Sequence, residues 1–130
     1  MNDETDTSVE NQELIDFQVK KFRKELSSGT SALILLNILN NAEQPLYGYQ
    51  IAKLLEQHSQ EKQGAIYPVL RNMGAKGLLE SELVPSESGP ARKYFRISPL
   101  GKAVLREWMS IWEQTKSMVD LAISHKAGDE

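Results

Sequence analysis

Apolar residues in the first part of the chain recur at the spacing of a helix. Four of them lie at intervals of four, three and four residues, namely Ile15, Val19, Phe22 and Leu26. This spacing predicts an amphipathic N-terminal helix over residues 10–28. Residues 1–9 are acidic and lack periodic apolar positions, which predicts a disordered tail. The SSGT run at residues 27–30 is predicted to end this helix and to cap the next, SALILLNILNN, whose apolar sides indicate burial.

The middle of the chain predicts two short helices joined by a polar turn. The first runs from Tyr47 to about His58, after the boundary marked by Pro45. The sequence QHSQEKQ supplies the turn. The second helix covers about residues 63–76, and Ile66, Val69, Leu70 and Met73 form its inward stripe.

Two strands are predicted after these helices, over residues 78–84 and 93–97, with the loop PSESGPAR between them. Helix, turn, helix and hairpin in this order are the layout of a winged helix-turn-helix. We therefore predict a mainly α fold with a small antiparallel β-wing (α+β), in which residues 29–98 form the winged-helix domain.

A long C-terminal helix is predicted over residues 99–124, followed by a disordered tail at residues 125–130. Its apolar stripe consists of Val104, Leu105, Trp108, Ile111, Trp112, Thr115, Met118, Val119 and Ala122. A helix of this length beyond a compact domain cannot cover such a stripe by itself, and two exposed tryptophans would be costly. The pattern predicts a homodimer joined through this helix, with the stripe of the N-terminal helix packed at the same interface.

Composition limits the functional classes. The 130 residues carry a net charge of −3, but residues 45–102 hold eight basic and five acidic groups, a local charge of +3. The chain has no cysteine and no apolar run long enough for a bilayer, so we expect no disulfide, no thiolate metal site and no membrane partner. The N-terminus does not resemble a secretory signal, which favours a cytoplasmic location. His58 and His125 stand apart from any nucleophile, so we expect neither enzyme activity nor a cofactor or metal.

Polar and basic residues at two places suit contacts with double-stranded DNA. Lys62, Gln63, Tyr67 and Arg71 lie near the start or on the outer side of the second short helix. A helix start offers free N–H groups to phosphate, and arginine and glutamine can pair with guanine and adenine edges. Arg92 and Lys93 follow the wing loop, where they would reach the phosphate backbone or minor groove. A plain surface helix and a solvated basic pair remain the alternatives.

The chain resembles the PadR family of bacterial transcriptional regulators from Thr30 to about Trp112. The segments that carry the resemblance are ALILLNIL, PLYGYQIAKLLE, GAIYPVLRNMGAKGLLES and GPARKYFRISPLG, in that order. The resemblance implies a homodimeric winged-helix repressor, often released from its operator by small aromatic or cationic compounds. It places Tyr67, Arg92 and Lys93 at DNA. It places Tyr47 in a helix-opening motif; we include this residue among the DNA contacts, and a structural role is the alternative.

The resemblance also implies a candidate effector site and shows two departures. Trp112 matches a tryptophan that multidrug-sensing members stack on planar ligands, and Trp108 lies nearby; an ordinary interface role is the alternative. The helix before Gly29 is longer than in many members. Gly74 and Ala75 replace larger, often charged residues, which is expected to loosen the end of the recognition helix.

Three functions remain open from the sequence. The first is a ligand-responsive repressor that binds DNA and acts as a homodimer on an inverted-repeat operator. The second is a winged-helix adaptor whose exposed helix binds another protein. The third is a helical protein that binds small molecules and uses the winged domain only as a scaffold.

Overall fold

The computed structural model describes residues 4–58, 66–125 and 127–128. The helices and strands are α1 (Glu4–Asn41), β1 (Leu46–Tyr47), α2 (Gly48–His58), α3 (Ile66–Ala75), β2 (Leu79–Ser86), β3 (Gly89–Ile97) and α4 (Pro99–Ser124). The chain divides into two compact units, one ending at Ser31 and the other beginning at Ala32. The second unit contains the last part of α1, from Ala32, together with the sheet, α2, α3 and α4.

Helix α1 is longer than the sequence predicted. The break expected at residues 27–30 is wrong, and residues 4–9, expected to be disordered, are helical. The hydroxyl groups that suggested a cap bond within the helix instead. Thr30 Oγ1 donates to the Leu26 carbonyl at 2.8 Å, and Ser31 Oγ donates to the Ser27 carbonyl at 2.6 Å. Serine and threonine can bond to the carbonyl four residues earlier, so their presence does not require a helix end.

The hydrophobic core of the second unit joins all of its helices to the base of the sheet. Its buried members are Leu35, Leu36, Leu39, Ile51, Ala52, Leu55, Ile66, Leu70, Met73, Leu78, Leu79, Ile97 and Leu105. In α3 the buried residues lie three and four positions apart, as the inward stripe predicted, although Val69 is only partly buried. This packing fixes which side of α3 faces outward.

The sheet has three antiparallel strands in the order β1-β3-β2. Strand β1 was not predicted from the sequence, because two residues are too short to show an alternating pattern. It is defined by its pairing with β3, where Leu46 lies opposite Phe95 and Tyr47 lies opposite Tyr94. This pairing brings the start of α2 against the wing.

The wing is a tight hairpin, whereas the sequence predicted a loop over all of PSESGPAR. Only Glu87 and Ser88 form the turn, and the remaining loop residues belong to β2 and β3. The register is irregular between Val84 and Ser86, on either side of Pro85. Proline has no N–H to donate to a ladder, so it is accommodated at such irregular or edge positions.

Helix α3 ends in a glycine cap that leads directly into β2. Gly77 has φ of +77°, a conformation that a residue with a Cβ rarely adopts. The Leu78 N–H donates to the Met73 carbonyl, and the Gly77 N–H donates to the Gly74 carbonyl, each at 3.0 Å. These two bonds form a Schellman motif. The cap fixes the angle at which the chain leaves α3.

Helix α4 has the bounds predicted from its apolar spacing, Pro99–Ser124. Its first half packs on the hydrophobic core, where Val104 and Trp108 are partly buried. Leu105 is only 4% exposed there, so packing within a single chain already covers this residue of the predicted dimer interface. Trp112 is partly buried, and the helix is exposed from Glu113 to Ser124. Within the described residues, no helix is both long enough and apolar enough to cross a membrane.

Candidate nucleic-acid interface

The structure brings five of the seven predicted DNA-contacting residues to one concave surface between α3 and the wing. They are Tyr47, Tyr67, Arg71, Arg92 and Lys93. The concavity has a volume of about 760 Å³, and its apolar lining includes Leu70, Ala75, Leu79 and Phe95. The other two predicted contacts, Lys62 and Gln63, lie outside the described residues. We call this the concave surface.

Helix α3 contributes Tyr67 and Arg71 to the concave surface. The two residues are four positions apart and therefore lie on the same side of the helix. Both are exposed, because Ile66, Leu70 and Met73 direct the opposite side into the core. Gly74, one turn further along, has open space where a side chain would begin. The outer side of α3 is thus free for a partner.

The start of α2 is shaped to receive the Tyr67 ring. A Cβ at Gly48 would lie only 3.1 Å from Cε1 of Tyr67, closer than an ordinary van der Waals contact. Beside it, Gln50 Oε1 accepts a hydrogen bond from the Tyr47 N–H at 3.1 Å. This bond is one half of a capping box and fixes the entry into α2. The absence of a side chain at Gly48 therefore permits the observed position of the tyrosine.

The wing contributes Arg92 and Lys93 from the middle of β3, not from a loop. Their strand partners are Val84 and Leu83, while the hairpin turn itself carries Glu87. Consecutive strand residues point in alternate directions, but both of these long side chains reach the concave surface. The predicted cationic wing tip is thus displaced toward the base of the hairpin.

Both cations of the wing lie over aromatic rings. The Arg92 guanidinium is 4.7 Å from the centre of the Tyr47 ring, and Lys93 Nζ is 5.7 Å from the centre of the Phe95 ring. Tyr47 packs edge-to-face with Tyr94 at 5.5 Å. Attraction between cation and ring restricts the long side chains before any ligand arrives. Less entropy is then lost on binding.

The sequence reasoning missed two residues beside this cluster, Tyr49 and Lys53. The Tyr49 ring lies 6.3 Å from that of Tyr47, and Lys53 Nζ lies 5.2 Å above the Tyr49 ring. Tyr49 is 50% exposed, so the pair extends the aromatic and cationic cluster over α2. Their spacing of four residues on the outer side of α2 was the available signal.

The cations of this region differ from the neighbouring Arg96. Two hydrogen bonds join the Arg96 guanidinium to Glu80 Oε2, at 2.8 and 3.0 Å. Among the described residues, no carboxylate forms an ion pair with Lys53, Arg71, Arg92 or Lys93. Their positive charge is therefore available to an anionic partner. Within the residues that the structure describes, no cluster of three histidine or acidic side chains is placed to hold a metal ion.

The two tryptophans proposed for an effector differ in their packing. Trp108 is partly buried against the core of the subunit. Trp112, one helical turn further along α4, is also partly buried but does not belong to that core cluster. Trp108 thus already has a packing role within one subunit.

The architecture is that of a winged-helix protein with an exposed cationic surface beside α3. The model of the transcriptional regulator PadR-like family matches residues 35–107. The chain belongs to this family. It is 33% identical over 100 residues to the transcriptional regulator Rv3488 of Mycobacterium tuberculosis, covering 75% of this chain and 92% of that protein.

Two crystal structures of family members resemble the fold. A PadR-family transcriptional regulator from Eggerthella lenta is 31% identical, with a TM-score of 0.75 that covers 87% of this chain and 98% of the other. A PadR-like regulator from Bacillus cereus is 28% identical, with a TM-score of 0.67 over 78% of this chain and 99% of the other. The family assignment identifies a regulator of transcription, in agreement with the expectation that the chain is not an enzyme.

Proposed function

We propose that this protein is a homodimeric repressor that binds double-stranded DNA at an inverted repeat. The observation that supports this proposal most directly is the concave surface, where Arg71, Arg92 and Lys93 stand without ion-pair partners among the described residues. Local positive charge matters more than the net charge of −3, because screening limits charge interactions to about 8–10 Å at physiological salt.

In the proposed complex, α3 enters the major groove and the concave surface receives one sugar–phosphate strand. Arg71 and Tyr67 face the groove from α3, while the cations of β3 contact the same backbone from the wing. Gly74 has no side chain and Ala75 has only a methyl group, so the DNA backbone can approach α3 closely. Phosphate contacts of this kind set the orientation, and contacts to base edges give specificity.

Arg71→Ala and Arg92→Ala should each weaken binding to a selected operator duplex about 10-fold or more. Removing a phosphate contact should also make the plot of log affinity against log salt shallower by about 0.9. Fluorescence anisotropy titrations at several salt concentrations measure both quantities.

Arg106→Ala is the matched control, since Arg106 is an exposed arginine of α4 that does not line the concave surface. It loses the same charge and should change affinity less than about 3-fold. Unchanged DNA affinity in both concave-surface variants would contradict the proposal and favour the adaptor function.

The proposed dimer forms through apolar residues that a single subunit leaves exposed. On α4 these include Ile111, Met118 and Val119, and Ala122 continues the same stripe. On α1, all four residues of the predicted stripe, from Ile15 to Leu26, are at least 49% exposed. Burying both stripes against a second copy would remove them from water, and a two-fold dimer would read an inverted repeat. Repression would follow if the occupied operator excludes the polymerase from the promoter.

We also propose that a planar aromatic or cationic effector binds beside Trp112. Planar cations bind well to indole rings, and Trp112 lies outside the core cluster that already contacts Trp108. Titration with planar cationic dyes should quench tryptophan fluorescence. The quenching should persist in Trp108→Phe and disappear in Trp112→Phe. Equal quenching in both variants, or none in the wild type, would argue for a packing role alone.

A further inference from the structure

We propose that Ser98 is a positioning residue for DNA recognition. Its side chain fixes α3 to α4, and it thereby determines which spacing between half-sites the dimer accepts. This inference rests on the proposed function, since it concerns how a dimer places its two recognition helices.

Ser98 connects the segment between α3 and β2 to the first turn of α4 through three hydrogen bonds. Its Oγ donates to the Gly77 carbonyl at 2.6 Å and accepts from the Gly101 N–H at 2.9 Å. Its own N–H donates to the Leu78 carbonyl at 3.0 Å. Ser98 is only 5% exposed, so water does not readily replace these partners. One hydroxyl therefore connects the chain that leaves α3 to the first turn of α4.

The hydrogen bond to the Gly77 carbonyl lies only two residues after the end of α3, the proposed recognition helix. Gly77 belongs to the Schellman motif that ends α3, so its carbonyl moves with the last turn of that helix. On the other side, Ser98 is the N-cap of α4, and Pro99 begins the helix. The Ser98 hydroxyl thus connects the residue two positions after the end of α3 to the start of α4, the proposed dimerisation helix.

Close packing around Gly101 restricts movement between α4 and the chain that leaves α3. A Cβ there would collide with the Leu78 carbonyl oxygen and lie 2.8 Å from Ile97 Cγ1. The first turn of α4 is therefore in direct contact with the chain that leaves α3. In the proposal, the Gly101 contact and the Ser98 hydroxyl together hold α4 at one angle to the chain that leaves α3. Without the hydroxyl, α4 could tilt about the Gly101 contact.

A small tilt at this junction has a large effect on operator spacing. Helix α4 has 26 residues and is about 39 Å long at 1.5 Å per residue. A tilt of about 5° at one end displaces the other by about 3.4 Å, the rise of one base pair. A dimer joined through the far part of α4 would then present its recognition helices at a different separation.

The test compares wild type, Ser98→Ala and Ser98→Thr on inverted repeats whose central spacer is varied from two base pairs fewer to two more than the optimum. Wild type should lose about 10-fold or more in affinity away from its optimum, since each misplaced contact is costly. Ser98→Ala should lose less than about 3-fold across the same series. Ser98→Thr keeps the hydroxyl and should restore the narrow preference.

A single half-site duplex separates positioning from general damage. Ser98→Ala should bind it as the wild type does, because the concave surface is unchanged. Should Ser98→Ala fold poorly by circular dichroism, Ser98→Gly provides the second variant, as glycine is well tolerated at an N-cap. The same broadened spacer profile is expected of it.

Two results would overturn the inference while leaving the proposed function intact. One is a spacer profile as narrow in the variants as in the wild type. The other is a uniform loss of affinity at every spacer and at the half-site, which indicates a merely structural role. A wild-type protein that binds no duplex in the series would instead refute the proposed function itself, and the inference with it.

Discussion

Replacing Val119 with aspartate is expected to dissociate the dimer and to weaken binding to an inverted-repeat duplex by at least about 100-fold. Val119 is 52% exposed in the single subunit and lies on the stripe that the proposed interface buries. Each dimer would contain two such carboxylates, and burying an unpaired charge is strongly unfavourable. Light scattering measures the mass at micromolar concentration, and anisotropy titration measures operator binding.

Ser117→Asp provides the matched control on the same helix. Ser117 is exposed and lies two positions before Val119, about 200° around a helix of 3.6 residues per turn. The control adds the same charge on the opposite side of α4, so it should leave both mass and operator affinity nearly unchanged. A wild-type monomer, or a Val119→Asp dimer that binds the operator normally, would refute the interface.

Gly101→Ala is expected to lower the free energy of unfolding by about 3 kcal/mol or more. The added Cβ would overlap the Leu78 carbonyl oxygen, and a backbone atom cannot move aside as the end of a flexible side chain can. Either α4 must shift outward or β2 must move, and both changes disturb the core around Leu105. Urea denaturation at fixed protein concentration measures the loss.

Gly29→Ala makes the same substitution where the structure has room. Gly29 lies within α1 and has no atom within 4 Å of an added Cβ. Alanine favours helix and restricts the unfolded chain, so stability should rise by about 0.4–1 kcal/mol. A neutral Gly101→Ala variant would show that α4 does not approach Leu78 as closely as described.

The short and long helices of the second unit were predictable because their signals are local. Buried residues in α3 recur at helical spacing, and the apolar stripe of α4 gave the bounds Pro99–Ser124. The hairpin was predictable as two strands, since apolar and polar residues alternate around Phe95. Its turn was not, because the proline and glycine residues that suggested a long loop lie within the paired strands.

The composition of the candidate site was only partly predictable. Arg71, Arg92 and Tyr67 were identified from their positions on predicted elements, and the structure places them on one surface. Tyr49 and Lys53 were missed because their role depends on a ring stack with Tyr47, which lies in a strand that had no sequence signal.

The amino-acid order alone determined the succession of α2, α3, the hairpin and α4, the excess of cations between residues 45 and 102, and the long apolar stripe of the last helix. Three-dimensional packing decided that Leu105 belongs to the core of one subunit and that Ser98 meets Gly77. The physical reason is distance along the chain. Helical and strand periodicities are set by near neighbours, whereas contacts between distant residues depend on how all the elements pack together.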